Sequence, residues 1–363
     1  MGTDLISFAR GAPSLDIVNI EGLKTAAQHA FERDPGGTTA YGTSVGYQPL
    51  RAWVAEKHVV TPDQVLVTNG SMQADAFLFD ALVEPGTPVI VEKPTYDRTL
   101  LGLRNRGADL HPITVDADGV DTDELRTVLA SGVRPTLAHI IPNFHNPAGV
   151  TLSLPRRQAL VELSREYDFT IFEDDPYRDV RFTGTPLPTM FEADESEHVV
   201  YASSFSKTVC PGIRVGYLVG PAGVIAGIAK QATNTYISPN MVSQAIAYQF
   251  CVSGGLDESI KTVQVALAER SQRLGEALRR EIPDARFTLP EGGYFLWLDL
   301  PEDVDVAKLL PAAAERGVAV VAGTDFLLTG GDHSVRLAYS AVTPDRIDEG
   351  VARLAAAVAA IRG

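Results

Sequence analysis

Between residues 64 and 219, short apolar, β-branched runs alternate with stretches whose apolar positions recur at helical spacing. That alternation predicts an α/β fold in which a mainly parallel central sheet is wrapped by helices, giving a three-layer domain. Strands are expected at 65–68, 88–91, 136–141, 170–173, 199–203 and 215–219, short runs flanked by Pro, Gly and Asn. Helices are expected at 72–82, 155–167 and 221–235, with Pro155 and Pro221 in first-turn positions where a missing N–H costs nothing. A longer helical pattern at 258–281 could bridge two domains. Beyond it, runs at 287–289, 294–298, 318–321 and 335–338 and a last helix from Pro344 have the strand and helix mix of a smaller α+β domain. The expected organisation is an N-terminal segment, 1–35, joining the small domain, a large domain over 36–255 and a small C-terminal domain over 256–363.

Composition narrows the class. An apolar fraction of 45% with 21% charged residues fits a globular chain able to bury a sizeable core. The net charge of −15 repels phosphate backbones and anionic lipid surfaces, so neither nucleic acid nor membrane is an expected partner. Residues 1–6 carry no basic start and no long apolar run, so no leader is expected. Cys210 and Cys251 are too few and too isolated for a disulfide framework or a zinc site, which suggests a cytoplasmic location. The seven histidines show no metal-ligand spacing.

Candidate chemistry gathers just past the expected strands. The stretch from Ser203 to Arg214 contains Ser204, Ser206, Lys207 and a Pro211-Gly212 turn. A lysine held past a strand end can form a Schiff base with an aldehyde cofactor, while serine hydroxyls and an arginine bind that cofactor's phosphate. A solvated surface lysine is the plain alternative. Ser204-Phe205-Ser206-Lys207 also matches the S-x-x-K pattern of serine acyl-transfer enzymes, but the accompanying S-D-N and K-T-G elements do not occur. Asn69-Gly70-Ser71-Met72-Gln73-Ala74 joins a strand to a helix and offers a phosphate cradle or simply an N-cap. Asp174 ends an apolar strand, where a buried carboxylate needs a cation such as a protonated pyridine ring; Asp175 is readable as an acidic loop residue near the surface. The stretch from Asn143 to Gly149 reads as a turn, with His145 as a hydrogen-bonded loop residue.

Eight ordered segments resemble the fold type I pyridoxal-phosphate enzymes, specifically the class I/II aminotransferases and their 2-aminoadipate and kynurenine branch. They are Tyr41 to Arg51, Gly70 to Ala74, Pro94 to Tyr96, Asn146 to Gly149, Asp174 to Tyr177, Ser204 to Arg214, Gly292-Gly293 and Val335 to Leu337. The resemblance implies pyridoxal 5′-phosphate bound to Lys207, which then shuttles a proton, with Asp174 on the ring nitrogen and Tyr96 stacked on the ring. It further implies Asn146 and Tyr177 on the phenolic oxygen, and Ser71, Met72, Gln73, Ser204, Ser206 and Arg214 around the phosphate. Arg336 would clamp the α-carboxylate of an amino acid or 2-oxo acid, with Gly11 near the substrate, and Tyr41 would reach the phosphate of a neighbouring subunit in a homodimer. Relatives usually carry an N-terminal arm before the stretch matching Leu5 to Gly11, whereas this chain starts almost there. Arg10 stands where a small residue or glycine is common, either favouring an acidic side chain or forming a solvent-facing salt bridge. Decarboxylases, β-lyases, racemases and oxidases share this platform. A ligand sensor of the kind fused to DNA-binding domains is a further reading, although no basic helix-turn-helix segment is present.

Overall fold

The computed structural model describes residues 4–362, so residues 1–3, part of the stretch in which no leader is expected, lie outside the described range, as does Gly363. An eight-stranded sheet runs in the order Val65–Thr68, Gly216–Val219, Val199–Ser204, Thr170–Asp174, Leu137–Ile140, Pro88–Lys93, Asp109–Asp116 and Gly119–Val120. Four neighbouring pairs are parallel, from Val199–Ser204 across to Asp109–Asp116. Gly216–Val219 runs antiparallel to both neighbours, so the carboxyl ends of Val65–Thr68 and Val199–Ser204 emerge on the same edge. Ligands of open α/β sheets bind outside that edge. Helices including Ser71–Leu82, Leu154–Tyr167 and Ala222–Tyr236 cover the faces, and apolar side chains from both faces are fully buried.

The C-terminal part builds a second core. Phe295–Asp299, Ser334–Ala338 and Val321–Ala322 form an antiparallel sheet, packed with the 27-residue helix Gly255–Glu281 and the helix Pro344–Arg362. Ile6, Phe8 and Ile17 join this core, and Ile6–Ser7 pairs in parallel with Val318–Ala319. The helix Ile20–Arg33 instead buries Ala26 and Ala30 with Ala245, Ala247 and Phe250 of Met241–Val252. No helix among the described residues is long and apolar enough to cross a membrane.

Several details differ from the sequence expectation. Residues 287–289 form no strand; only Arg286 bridges to Asp299. The run 318–321 breaks into Val318–Ala319 and Val321–Ala322, which join different sheets. Asp109–Asp116 is a strand the sequence does not announce, because Pro112 and its mixed, half-exposed pattern hide it near the sheet edge. Pro221 is the N-cap residue of Ala222–Tyr236 and not part of its first turn. Asp175 is fully buried, not a surface acid.

A buried polar chain supports the sheet edge behind Asp175. Asn143 Nδ2 donates to Asp175 Oδ1 at 3.0 Å and Oδ2 at 2.9 Å, and Arg157 donates to Asn143 Oδ1 at 2.9 Å. Arg157 also donates to the carbonyls of Leu152, Pro188 and Pro142. Burial pushes the Asp175 carboxyl up to about 6 despite the Asn143 amide. Replacing Arg157 with leucine would strand these acceptors in the interior, and we expect a loss of about 3–5 kcal/mol in urea unfolding free energy. A loss below about 1 kcal/mol would contradict this role.

Candidate active site

The strand ends deliver their side chains to one cavity of about 350 Å³ between the two cores. Gly11, Ser71, Tyr96, Asn146, Asp174, Tyr177, Lys207 and Arg336, all singled out in the sequence, line it. Lys207 lies in the turn after Val199–Ser204, and its Nζ donates to the Gly11 carbonyl at 2.8 Å. The Tyr177 and Tyr294 rings stand 5.2 and 5.0 Å from that nitrogen, and the Tyr294 hydroxyl donates to the Lys207 carbonyl at 2.6 Å. Burial, with a smaller contribution from Arg336, lowers the Lys207 ammonium from 10.5 to about 8, although Asp174 opposes the shift. At pH 7 this makes the neutral amine roughly 300-fold more abundant than on an ordinary lysine.

That shift has a kinetic consequence. Capture of pyridoxal 5′-phosphate by cofactor-free protein is expected to accelerate about tenfold per pH unit below 8 and to flatten above it. Stopped-flow absorbance measures this directly, and a rate still climbing about tenfold per unit beyond roughly pH 9.5 would contradict the lowered ammonium.

One end of the cavity has the geometry of an anion cradle. Gly70, at φ 75°, turns the chain into Ser71–Leu82 without a side-chain cap. The Ser71 and Met72 amides have no acceptor among the described residues, and they point out of a helix N-terminus. Arg214, itself held at φ 52°, donates to Ser206 Oγ and to the Asn69 carbonyl, each at 3.2 Å. A Cβ on Gly70 would sit 2.2 Å from Arg214 Nη2, so glycine is required for this approach. Ser204 Oγ donates to Ser206 Oγ at 2.9 Å. Met72 turns its side chain to solvent, and Gln73 Oε1 accepts from the Asn69 amide at 2.8 Å. Met72 can therefore offer an anion only its backbone amide, and the Gln73 amide is already taken, donating to the Gly70 carbonyl at 3.2 Å.

Asp174 occupies the floor. It is buried, its Oδ1 has no hydrogen-bond partner, and its Oδ2 stands 3.7 Å from His139 Nε2. An uncompensated buried carboxylate oxygen beside a cavity calls for a cation, as a protonated pyridine nitrogen would be. The open amides, the Arg214–Ser206 pair and this carboxylate together fit the two ends of pyridoxal 5′-phosphate.

Arg336 faces the cavity because its strand alternates, sending Val335 and Leu337 into the C-terminal core. Its guanidinium lies between the rings of Phe295 and Phe326, 4.4 and 4.7 Å from their centroids. Nη1 donates to Asn146 Oδ1 at 3.0 Å and Nη2 to the Ala9 carbonyl at 2.7 Å, so its fork is fixed in plane and direction. Gly11 is explained by contact, since a Cβ there would lie 2.3 Å from Phe295 Cζ. Arg10 lines the cavity, as does Arg98, and makes no ion pair among the described residues. Tyr41 lies apart from the cavity and is 90% exposed. His145 is buried in hydrogen bonds, with Nε2 3.0 Å from Glu92 and Nδ1 accepting from the Ala148 amide.

Sequence reasoning missed Phe295, Phe326, Tyr294, Asp75 and His139. Tyr294 and Phe295 directly follow Gly292-Gly293, where added Cβ atoms would meet Phe144 at 2.4 and 2.3 Å. The others carry no local signal, because packing across the chain brings them in.

A family model described as aminotransferase class I and II matches residues 3–354. An aromatic-amino-acid aminotransferase of Thermococcus litoralis is 33% identical over 97% of this chain and 88% of its own length. A 2-aminoadipate transaminase of Thermus thermophilus is also 33% identical, over 98% of this chain and 90% of its own length. The crystal structure of an alpha-aminoadipate aminotransferase from Thermus thermophilus, complexed with N-(5′-phosphopyridoxyl)-L-leucine, superposes with a TM-score of 0.94 at 32% identity, covering 98% of this chain and 92% of the other.

Proposed function

The chain belongs to the class I and II aminotransferase family, and on that footing we propose that it uses pyridoxal 5′-phosphate on Lys207 to move an amino group between an L-amino acid and a 2-oxo acid. The observation that carries this reading is the Lys207 amine, lowered to about 8, sharing a cavity with the unpartnered Asp174 oxygen. When bound, the cofactor supplies an aldehyde that condenses with amines and a ring that draws electrons from the carbon beside the nitrogen.

The protein's own groups do the rest. Asp174 offers its free oxygen to the ring nitrogen, and the Ser71 and Met72 amides with Ser204, Ser206 and Arg214 hold the phosphate. Gln73 would act only by holding this helix end, its amide on the Gly70 carbonyl and its Oε1 on the Asn69 amide, while Tyr96 would cover a ring face, and Tyr177 and the Asn146 amide would reach the phenolic oxygen. Arg336 binds the substrate α-carboxylate with its flat fork. That contact orients the substrate Cα toward Lys207, whose freed amine removes the Cα proton and returns it later. The donor leaves as its 2-oxo acid before the acceptor oxo acid enters, in two half-reactions.

The exposed Tyr41 would complete the phosphate site of a second subunit, making a homodimer with shared sites. Both cysteines are free, consistent with a cytoplasmic setting. The domains we assign are 36–255 for the cofactor body and 256–363 for the smaller lobe, with 1–35 an N-terminal segment joining the smaller lobe.

Transamination is distinguished from other outcomes on this platform by a single-turnover experiment. Holoenzyme given an amino donor and no acceptor should release about one equivalent of 2-oxo acid per subunit and stop, then resume when an acceptor is added. Carbon dioxide release, or steady product formation without an acceptor, would sink the proposal.

A further inference from the structure

Asp75 lies behind Asp174 and takes no part in the chemistry proposed above. It stands one turn into Ser71–Leu82, is buried, and leaves Oδ1 without a partner. Ligating atoms of Asp75, His139 and Asp174 all lie within 4.8 Å of one another. His139 is fully buried against Phe79 and Phe172; its Nε2 stands 3.3 Å from Thr99 Oγ1, and its Nδ1 has no partner. Arg106, a cation whose field reaches Asp75, is committed elsewhere, donating to Asp80 at 2.6 Å and to the Gly102 and Ala76 carbonyls. Tyr96 faces both acids, and Tyr177 and Lys207 face Asp174 from the cavity side.

One carboxylate suffices for one ring cation, so a second buried acid beside it requires an explanation. Two ionised carboxylates cannot stand this close in an interior without a cation between them. Burial and the neighbouring Asp174 charge push the Asp75 carboxyl well above the usual carboxylate range.

We propose that Asp75 holds a proton beside Asp174 before the cofactor binds, and that a cation arriving at Asp174 draws this proton off. Before binding, the cluster carries a single negative charge. When the ring cation arrives, the Asp75 O–H bond breaks, the proton passes to the solvent buffer, and two carboxylates then face one cation, so the net charge of the site is unchanged. Asp75 is thus a positioning residue: it acts through Asp174 and couples cofactor binding to proton release.

The inference rests on the proposed function only in taking the cation to be the cofactor's ring nitrogen. Pyridoxamine 5′-phosphate is the suitable probe, because it forms no imine with Lys207. Calorimetric titration of the cofactor-free full chain between about pH 7 and 8, in buffers of different ionisation enthalpy, counts the protons released. Phosphate and Lys207 contributions are common to wild type and Asp75→Asn, so the difference isolates Asp75. Wild type should release up to about one proton more per site than Asp75→Asn or Asp75→Leu. Tight binding with equal release in all three overturns this inference and leaves the proposed function standing, whereas no binding at all overturns the proposed function. Should neither variant fold, carboxyl ¹³C spectra of aspartate-labelled wild type give the answer. A protonated aspartate signal at about pH 7 should ionise when pyridoxamine 5′-phosphate is added, and the lack of any such signal rejects the proton on Asp75.

Discussion

Replacing Lys207 with alanine is expected to lower turnover by on the order of 10⁴-fold and to abolish covalent retention of pyridoxal 5′-phosphate. Lys207 supplies the only lysine amine on the cavity wall among the described residues, so no neighbour can take over its proton transfer. Its one polar contact is the Gly11 carbonyl, which water can satisfy, so the fold should survive the change. The phosphate cradle and Asp174 remain, and the cofactor should still bind without a covalent link. Steady-state assays with gel filtration of the loaded variant separate these effects, and a small primary amine added to the assay should restore part of the turnover. Activity within about tenfold of wild type would place the proton transfer elsewhere.

The second largest effect should follow Asp174→Ala. The wild-type carboxylate is buried with one oxygen unpartnered, so its interaction with a ring cation takes place where solvent screening is weak. Losing such a partner is worth about 3–5 kcal/mol, or roughly 150- to 5,000-fold in kcat/KM, and cofactor affinity should fall with it. Asp174→Asn keeps the shape and removes the charge, so it should resemble alanine rather than wild type. Equal kcat/KM for Asn and wild type would show that charge at this position is not what the reaction uses.

The site is legible in the sequence where its parts are contiguous. Gly70 to Gln73, Asp174 to Tyr177 and Ser204 to Arg214 each lie at the end of a short apolar strand, and the parallel pairing of Thr170–Asp174 with Val199–Ser204 and the two antiparallel pairings of Gly216–Val219 bring those ends to one edge. What escapes a sequence reading is whatever tertiary packing supplies. The rings flanking Arg336 come from Phe295 and Phe326, separated in sequence and unmarked by any motif. Asn146 is expected at the cofactor, yet its carbonyl oxygen accepts from Arg336, leaving only its amide free for that role. Asp175 reads as a surface acid because nothing local reveals Asn143 and Arg157 closing over it. The same limit applies to the fold: Asp109–Asp116 hides behind Pro112, while residues 287–289 form no paired strand.

One particular amine is held to capture the cofactor aldehyde, and everything else in the site serves that event. Purified protein incubated with pyridoxal 5′-phosphate, reduced with borohydride and digested should yield one phosphopyridoxyl peptide, modified at Lys207, at about one per subunit. Label spread over other lysines, or no stable label at all, would contradict the account.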